Sequence, residues 1–355
     1  MKKLLSLSFV FLCTALFAEN YTFLALGDLH YDGEKYHTSP TLKQHQKQER
    51  KRNLAMWESG KSDQLLTAAS QVIANDTKFV VQLGDFTQGD CDTEAQQEAM
   101  FKDGFARVKR HFPDHKLLAV KGNHDVRLLK HKGFSNAPAE KAFLPLIARE
   151  LNRERVAGNY AVKQSQDLFI FFDSFVNSKN AINFVEKTLQ ENSSCRYVFF
   201  FTHLPVLPCS TGNPAWTVPA RDKLIELLAQ RNAIILCAHT HIPGCIALKT
   251  PHGSLTQLTV CSMGNQWNPQ AKPAVKIKDF AAFSKRIPAE RMKQKNVKKF
   301  IRKIQNYPAE YYELYTNHSG FAVIKVSDQA VIAEIHADNS RQPWIKKLLQ
   351  NRSGK

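Results

Sequence analysis

The sequence predicts an α/β fold, and three observations lead to this class. Apolar runs of about five residues, rich in Val, Ile and Phe, alternate with helical stretches, a pattern typical of strands that are buried on both faces. Five of these runs end directly in Asp, Asn or His, and ligand sites of α/β sheets gather outside the carboxyl ends of strands. Toward the C-terminus, three runs without intervening helices indicate an antiparallel part.

The elements are assigned in chain order from these runs and from helical periodicity. Predicted strands cover 21–26, 79–83, 116–120, 168–172, 197–201, 233–236, 255–262, 320–326 and 330–336. Predicted helices cover 63–74, 93–111, 180–191, 219–230 and an amphipathic segment with apolar residues at 297, 300, 301 and 304. Residues 31–60 and 267–317 break the alternation. They are interpreted as insertions in a single domain of residues 19–340.

The 355 residues carry a formal net charge of +17, and the excess is not evenly spread. With 43% apolar residues and mixed charges, the composition excludes a disordered chain. Three segments, 43–52, 285–303 and 341–355, hold the whole excess of basic residues. The last of these has no acidic residue and is interpreted as a basic C-terminal tail. Basic segments of this kind indicate contact with nucleic acid or an anionic surface.

The N-terminus has the pattern of a secretory signal peptide. Lys2 and Lys3 precede an apolar run that ends at Ala18, which predicts cleavage after residue 18 and an exported, periplasmic or secreted protein. Six cysteines remain after that cleavage, and they are compatible with up to three disulfides or with buried free thiols.

Polar motifs stand at the ends of five predicted strands. In chain order they are Gly27-Asp28-Leu29-His30, Gly84-Asp85, Gly122-Asn123-His124-Asp125, Thr202-His203 and Ala238-His239-Thr240-His241. Asp, Asn and neutral His are ligands suited to Mn, Fe or Zn. An i, i+2 pair in extended chain points to one side, and glycine before a carboxylate allows a sharp turn. The ordered set predicts a metal site at one edge of the sheet.

This set resembles the calcineurin-like metallophosphoesterase superfamily, whose pattern is D-x-H, GD, GNH-D/E, H and GHxH. The resemblance implies a two-sheet β-sandwich flanked by helices, in a four-layer architecture. It also implies a dinuclear centre of two divalent or trivalent ions, Mn, Fe or Zn. By this resemblance the first metal is held by Asp28, His30 and His241, the second by Asn123, His203 and His239, and Asp85 bridges both. His124 is implied as the catalytic histidine beside the leaving group.

The implied activity is metal-dependent hydrolysis of phosphate esters, monoesters or diesters, by a metal-bridging hydroxide. The expected substrate is a small phosphate ester or a phospholipid headgroup. No obligate protein partner is expected, and the basic segments would contact anionic surfaces weakly. The alternative is an anionic-surface or nucleic-acid binding protein, or a nuclease, that uses those basic segments.

Several positions depart from the family pattern or stay open. Ala238 replaces the glycine of GHxH, and His30 and Gln88 stand where purple acid phosphatases have Gly and Tyr. The opening motif is closer to exported relatives of the acid sphingomyelinase and cyclic-nucleotide phosphodiesterase groups. No carboxylate partner of His124 is evident, and solvent is favoured over Asp90. Trp57 and His45 in the first insertion would cover the site as a lid, and Trp216 follows the His203 loop. Aromatic residues there would stack on a base or an organic leaving group. Ordinary packing is the favoured alternative.

Overall fold

The fold is described by a computed structural model of the chain. It describes residues 19–38, 42–129, 135–212, 214, 216–264, 275–277, 279–304, 308–315 and 318–352. The predicted signal peptide, residues 1–18, lies outside this description. Among the described residues, no helix has the length and apolar character needed to cross a membrane.

Fourteen strands and nine α-helices are formed by the described residues. The strands are β1 Tyr21–Leu26, β2 Thr77–Gln82, β3 Lys116–Ala119, β4 Tyr160–Gln164, β5 Asp167–Phe172, β6 Val198–Thr202, β7 Ile234–Cys237, β8 Gly244–Thr250, β9 Gly253–Thr259, β10 Val275–Ile277, β11 Ala309–Leu314, β12 Gly320–Val326, β13 Ala330–Ala337 and β14 Ile345–Asn351. The helices are α1 Gln44–Glu58, α2 Lys61–Val72, α3 Glu94–His111, α4 Leu144–Glu150, α5 Ser178–Glu191, α6 Arg221–Ala229, α7 Phe280–Ser284, α8 Ala289–Met292 and α9 Lys295–Ile304. Each predicted strand and helix is present, with ends shifted by a few residues.

Two mixed sheets form the scaffold. The six-stranded sheet has the order β14-β13-β12-β1-β2-β3, and the eight-stranded sheet has the order β10-β11-β8-β9-β7-β6-β5-β4. Strands β1, β2 and β3 are parallel to one another, and so are β5, β6, β7 and β9. The predicted two-sheet sandwich with flanking helices is confirmed, and the carboxyl ends of its parallel strands carry the polar motifs.

The sandwich is held together by aromatic packing between its sheets. The Phe23 ring of β1 packs edge-on against Phe169 of β5 and Phe199 of β6, with ring centroids 5.7 and 5.3 Å apart. All three rings are fully buried, so each contributes roughly 1.5–3 kcal/mol of apolar burial. A second core lies on the other face of the eight-stranded sheet, under α5 and α6.

The prediction of a basic C-terminal tail is wrong for residues 345–351. These residues form β14, which pairs antiparallel with β13. Leu349 is buried against the core, and the basic side chains are matched by acids: Lys346 lies 2.9 Å from Glu334 and Lys347 lies 3.0 Å from Glu313. Because Leu349 packs into the core and the two lysines pair with carboxylates, residues 345–351 form the edge strand of the six-stranded sheet.

The two predicted insertions are structured elements of the same scaffold. Residues 31–60 contain α1, and 267–317 contain β10 and β11, which extend the eight-stranded sheet, as well as α7, α8 and α9. In α9 the side chains of Val297 and Ile301 are buried in the second core, whereas the side chains of residues 300 and 304 lie outside the description. The basic helix therefore covers apolar surface. Residues 267–274, 278, 305–307, 316 and 317 are not described.

The six cysteines that follow residue 18 are all free. Only Cys195 is partly exposed, and the other five are buried. Of the two alternatives left open by their number, the structure shows buried free thiols.

Candidate metal centre

The first strand end places Asp28 and His30 at the bottom of the site. Both side chains are fully buried just after β1. The backbone nitrogens of Leu29 and His30 donate to the Asp85 carbonyl oxygen at 3.0 and 2.8 Å, which joins this loop to the next strand end. Asp28 Oδ1 accepts from the His239 backbone nitrogen at 3.0 Å, so it also reaches the second sheet.

The second strand end places Asp85 between the two sheets. Its Oδ2 lies 3.8 Å from His30 Nε2 and 3.3 Å from His203 Nε2. This approach depends on glycine, because a Cβ at Gly84 would lie 2.6 Å from the His203 ring and one at Gly122 would lie 2.1 Å from the Asp85 nitrogen. The glycines predicted to allow sharp turns thus also let two loops touch.

The second sheet delivers the remaining histidines. His203 Nδ1 donates to the Leu83 carbonyl at 2.9 Å, so its Nε2 faces the centre, 3.0 Å from Asn123 Oδ1 and 3.1 Å from His239 Nδ1. His241 Nε2 lies 3.2 Å from His30 Nε2.

The structure brings all seven predicted ligands together, in two groups that share one carboxylate. The two groups are Asp28, His30, Asp85 and His241, and Asp85, His203 and His239. Within each group the candidate ligand atoms lie within 4.8 Å of one another, and Asn123 joins the second group through His203. Only Asp85 belongs to both, which is the geometry expected of a bridging carboxylate.

The backbone at these ligands is held in an uncommon conformation. His30, Asp85, His239 and His241 have φ between 45° and 69°, in the left-handed region. Non-glycine residues there cost about 1–3 kcal/mol each and persist where the surroundings fix them. Strain of this size at four neighbouring positions is typical of a functional site.

The electrostatics hold three of these groups in the state that a metal requires. Burial and the neighbouring His203 lower the pKa of His239 to about 3, and burial lowers the pKa of His30 well below its ordinary value. Burial opposes ionisation of Asp85, but the surrounding histidines hold its pKa well below the ordinary value. Asp85 instead raises the pKa of His203 to about 9, against the effect of burial. Metal binding at His203 would therefore release a proton.

The donor set fits a pair of cations. Asp28 Oδ2 is buried and has no hydrogen-bond partner among the described residues, an arrangement that costs free energy unless a ligand compensates. The ring nitrogens of His30 and His241 face each other at 3.2 Å, a separation that an intervening proton or cation stabilises. Carboxylate, amide and imidazole donors suit first-row transition metals.

Sequence comparison decides the family. The profile of the calcineurin-like phosphoesterase family matches residues 21–243, which contain every predicted ligand. The chain belongs to the calcineurin-like phosphoesterase family. No curated protein sequence matches the chain. The family and the two ligand groups together indicate a dimetal centre and a phosphoester hydrolase.

Solved structures share the fold of this phosphoesterase at low sequence identity. The dimetal phosphatase from Danio rerio has a TM-score of 0.52 and 13% identity, over 93% of this chain and 99% of its own. GAP50, the anchor in the inner membrane complex of Plasmodium, has a TM-score of 0.54 and 12% identity, over 94% and 89%. Purple acid phosphatase PPD1 from yellow lupin (Lupinus luteus) seeds has a TM-score of 0.54 and 10% identity, over 94% of this chain and 54% of its own.

His124 lies at the edge of the first ligand group. Its ring packs edge-on against the His30 ring, with centroids 4.5 Å apart. Its Nδ1 lies 2.7 Å from the Gln88 carbonyl oxygen. Arg127 Nη2 lies 2.9 Å from the same nitrogen. With Nδ1 turned to these two groups, Nε2 is the nitrogen that faces Glu49 and the site.

The carboxylate that faces His124 is Glu49, which no motif of the sequence marks. Glu49 Oε1 lies 3.5 Å from His124 Nε2, and Oε2 accepts from Arg127 at 3.1 Å. Burial alone would lower the pKa of His124, but Asp85 and Glu49 raise it above its ordinary value. Asp90 is also nearby, but its Oδ2 accepts from Arg127 at 2.6 Å. The expectation that solvent partners His124 is wrong.

Asp125 is the second residue whose role the sequence did not reveal. Its buried carboxylate accepts from the backbone nitrogens of Phe86, Thr87 and Gly122 at 2.8–3.0 Å. It therefore ties the loop after β2, which carries Asp85, to the loop after β3, which carries His124. Its place in the Gly-Asn-His-Asp run was the available signal.

The two tryptophans beside the site have different surroundings. The side chain of Trp57, on α1, is 8% exposed, and its Nε1 donates to the His30 carbonyl at 3.0 Å. Trp216, on the loop between β6 and α6, is 48% exposed, and its ring centroid lies 5.0 Å from that of His239. Ordinary packing describes Trp57 but not Trp216. His45 lies on the exposed face of α1, so it does not cover the centre.

Proposed function

We propose that this protein hydrolyses phosphate esters at a dinuclear metal centre. The observation that carries the proposal is the position of Asp85, whose carboxylate belongs to two adjoining groups of metal-binding side chains. Membership of the calcineurin-like phosphoesterase family supports the same reaction class.

Seven side chains would hold the two ions. Asp28, His30 and His241 would hold the first, Asn123, His203 and His239 the second, and Asp85 both. When bound, the ions would lower the pKa of a water molecule toward neutrality and neutralise charge on the phosphoryl oxygens. Mn, Fe and Zn all suit this mixture of oxygen and nitrogen donors.

His124 would act on the leaving group. Hydrolysis breaks the P–O bond to the leaving oxygen and forms a P–O bond to the oxygen of water, while the leaving oxygen gains a proton. Glu49 keeps a proton favourable on His124 Nε2, 3.5 Å away, so that nitrogen can donate it to the departing oxygen. The Gln88 carbonyl fixes the ring orientation.

The setting of the reaction is also proposed. Residues 1–18 support export to the periplasm or the medium, where a small phosphate ester or a phospholipid headgroup would be the substrate. The basic segments support at most weak contact with anionic surfaces, because Lys346 and Lys347 already contact carboxylates and α9 buries Val297 and Ile301.

Metal reloading tests the proposal. Protein stripped with a chelator should lose hydrolysis of 4-nitrophenyl phosphate and bis(4-nitrophenyl) phosphate, and regain it with Mn, Fe or Zn. Elemental analysis should find about two ions per chain when the site is filled. His241→Ala should lower both metal content and rate. His252→Ala, an exposed histidine away from the centre, is the matched control and should do neither.

Two results would contradict the proposal. One is a stripped protein that keeps its full rate in the continued presence of chelator. The other is a fully loaded protein that hydrolyses neither the monoester nor the diester.

A further inference from the structure

Trp216 is an exposed aromatic side chain beside a catalytic centre. Among the described residues only three large apolar side chains are exposed: Trp216, Ile332 and Leu348. The last two pair with each other across the sheet edge formed by β13 and β14. Trp216 alone borders the metal centre, where an exposed indole presents a flat apolar face next to the place of reaction.

Ring contacts show on which side of the centre Trp216 stands. The His124 ring contacts the His30 ring of the first ligand group, and the Trp216 ring contacts the His239 ring of the second group. The His203 ring, at 3.3 Å from Asp85 Oδ2, lies against His239 at 4.9 Å between centroids. His124 and Trp216 therefore contact different ligand groups, and these two groups share Asp85.

The loop that carries Trp216 is anchored at both of its ends. The buried Gln257 side chain accepts from the backbone nitrogens of Val206 and Leu207 at 2.9 and 2.7 Å, and donates to the Leu207 carbonyl at 3.0 Å. The Val218 nitrogen donates to the Pro205 carbonyl at 2.9 Å, which closes the loop. Trp216 is thus presented from a fixed base, which lowers the entropy cost of binding a ligand.

We infer that Trp216 forms a subsite for a planar aromatic group on the substituent of a phosphodiester that stays bound to phosphorus. This inference rests on the proposed function, in which the leaving group departs at His124. A monoester has no second substituent, whereas a diester has one that must lie away from the leaving group. The exposed indole of Trp216, which contacts the second ligand group, would bind this retained substituent.

Stacking is the interaction that this subsite offers. An aromatic ring of a nucleoside base or an aryl ester stacks on an indole by its face, and this interaction tolerates many ring types. The subsite therefore favours diesters with an aromatic retained group over diesters with a small aliphatic one.

Three esters with one leaving group test the inference. Methyl 4-nitrophenyl phosphate, phenyl 4-nitrophenyl phosphate and thymidine 5′-(4-nitrophenyl phosphate) all release 4-nitrophenolate and differ only in the retained group. In the full chain, loaded with metal, Trp216→Ala should reduce the kcat/KM ratio of the thymidine ester to the methyl ester on the order of tenfold, mainly through KM. Trp216→Phe keeps an aromatic face and should restore most of the ratio.

The remaining outcomes separate the explanations. A reduced ratio for the phenyl ester as well supports a general aromatic subsite, and a reduced ratio for the thymidine ester alone supports one that takes a nucleoside. An unchanged ratio in Trp216→Ala, or an equal loss of kcat for all three esters, would overturn the subsite, since Trp216 would then only support His239. If wild-type protein hydrolyses none of the esters, it is the proposed function that fails.

Discussion

The two tryptophans beside the metal centre mark two ends of that centre that are built differently. Trp57 is enclosed, and its indole nitrogen contacts the carbonyl of a ligand residue, His30, whereas Trp216 keeps about half of its surface open. At the Trp57 end the polar side chains of Glu49, His124 and Arg127 contact one another. At the Trp216 end an apolar ring faces solvent.

The enclosed end is organised by α1. From this helix Glu49 reaches His124 and Arg127, and Trp57 reaches the loop after β1. The open end consists of one anchored loop and one aromatic ring. This difference suggests a division of labour, with proton transfer at the enclosed end and recognition of the retained group at the open end.

Removing the histidine at the enclosed end should have the largest effect on the chemistry. His124→Ala is expected to reduce kcat about 10²- to 10⁴-fold for an alkyl ester, which needs a protonated leaving group. The loss should be much smaller for 4-nitrophenyl esters, because 4-nitrophenolate leaves without a proton. Steady-state kinetics over a series of leaving groups measure this. Equal losses across the series would contradict a role at the leaving group.

Neutralising Glu49 should have a smaller effect that acts through His124. Glu49→Gln is expected to lower kcat about 10-fold, as for other residues that orient a functional group. Because Glu49 raises the pKa of His124, its loss lowers that pKa, and the protonated form disappears at a lower pH. The alkaline limb of the pH–rate profile should therefore move to lower pH. Gln48→Ala, an exposed neighbour on α1, is the control, and an unmoved limb would show that Glu49 has no such role.

The two tryptophans should also differ in their effect on stability. Trp57→Phe removes the donor to the His30 and Leu29 carbonyls, which lie 3.0 and 3.3 Å away, and should lower the free energy of unfolding by about 1–3 kcal/mol. Because Trp216 is exposed, Trp216→Phe should change the free energy of unfolding by less than about 0.5 kcal/mol. Urea denaturation of both variants measures the difference. Equal changes in the free energy of unfolding for the two variants would contradict the structural difference between the two ends.

The strand ends were predictable from the sequence because their signals are local. A buried strand is a run of apolar residues, and the motif follows it directly, as Asp28 follows β1 and His203 follows β6. Parallel strands then bring these residues to one edge whatever the intervening chain does.

The contribution of α1 was not predictable from apolar periodicity, because the part of its inner face that precedes the buried Met56 and Trp57 is polar. Gln46, Glu49 and Asn53 follow the i, i+3, i+7 spacing of one helix face, and they contact Asp90, His124 and Gln88 respectively. That polar stripe was the signal available. It was overlooked because it lies within the basic segment 43–52, which was interpreted only by its charge. The edge strand β14 was missed for a related reason, since its lysines contact acids of other strands, Glu334 in β13 and Glu313 in β11.

The Asp85→Asn variant tests whether the centre is dinuclear. The amide keeps the shape of Asp85 but loses the negative charge shared by the two ligand groups. The variant is expected to be folded, by circular dichroism, to hold at most one tightly bound ion per chain, and to hydrolyse 4-nitrophenyl phosphate at least about 10³-fold more slowly than wild type. A variant that retains two ions and the full rate would contradict this expectation.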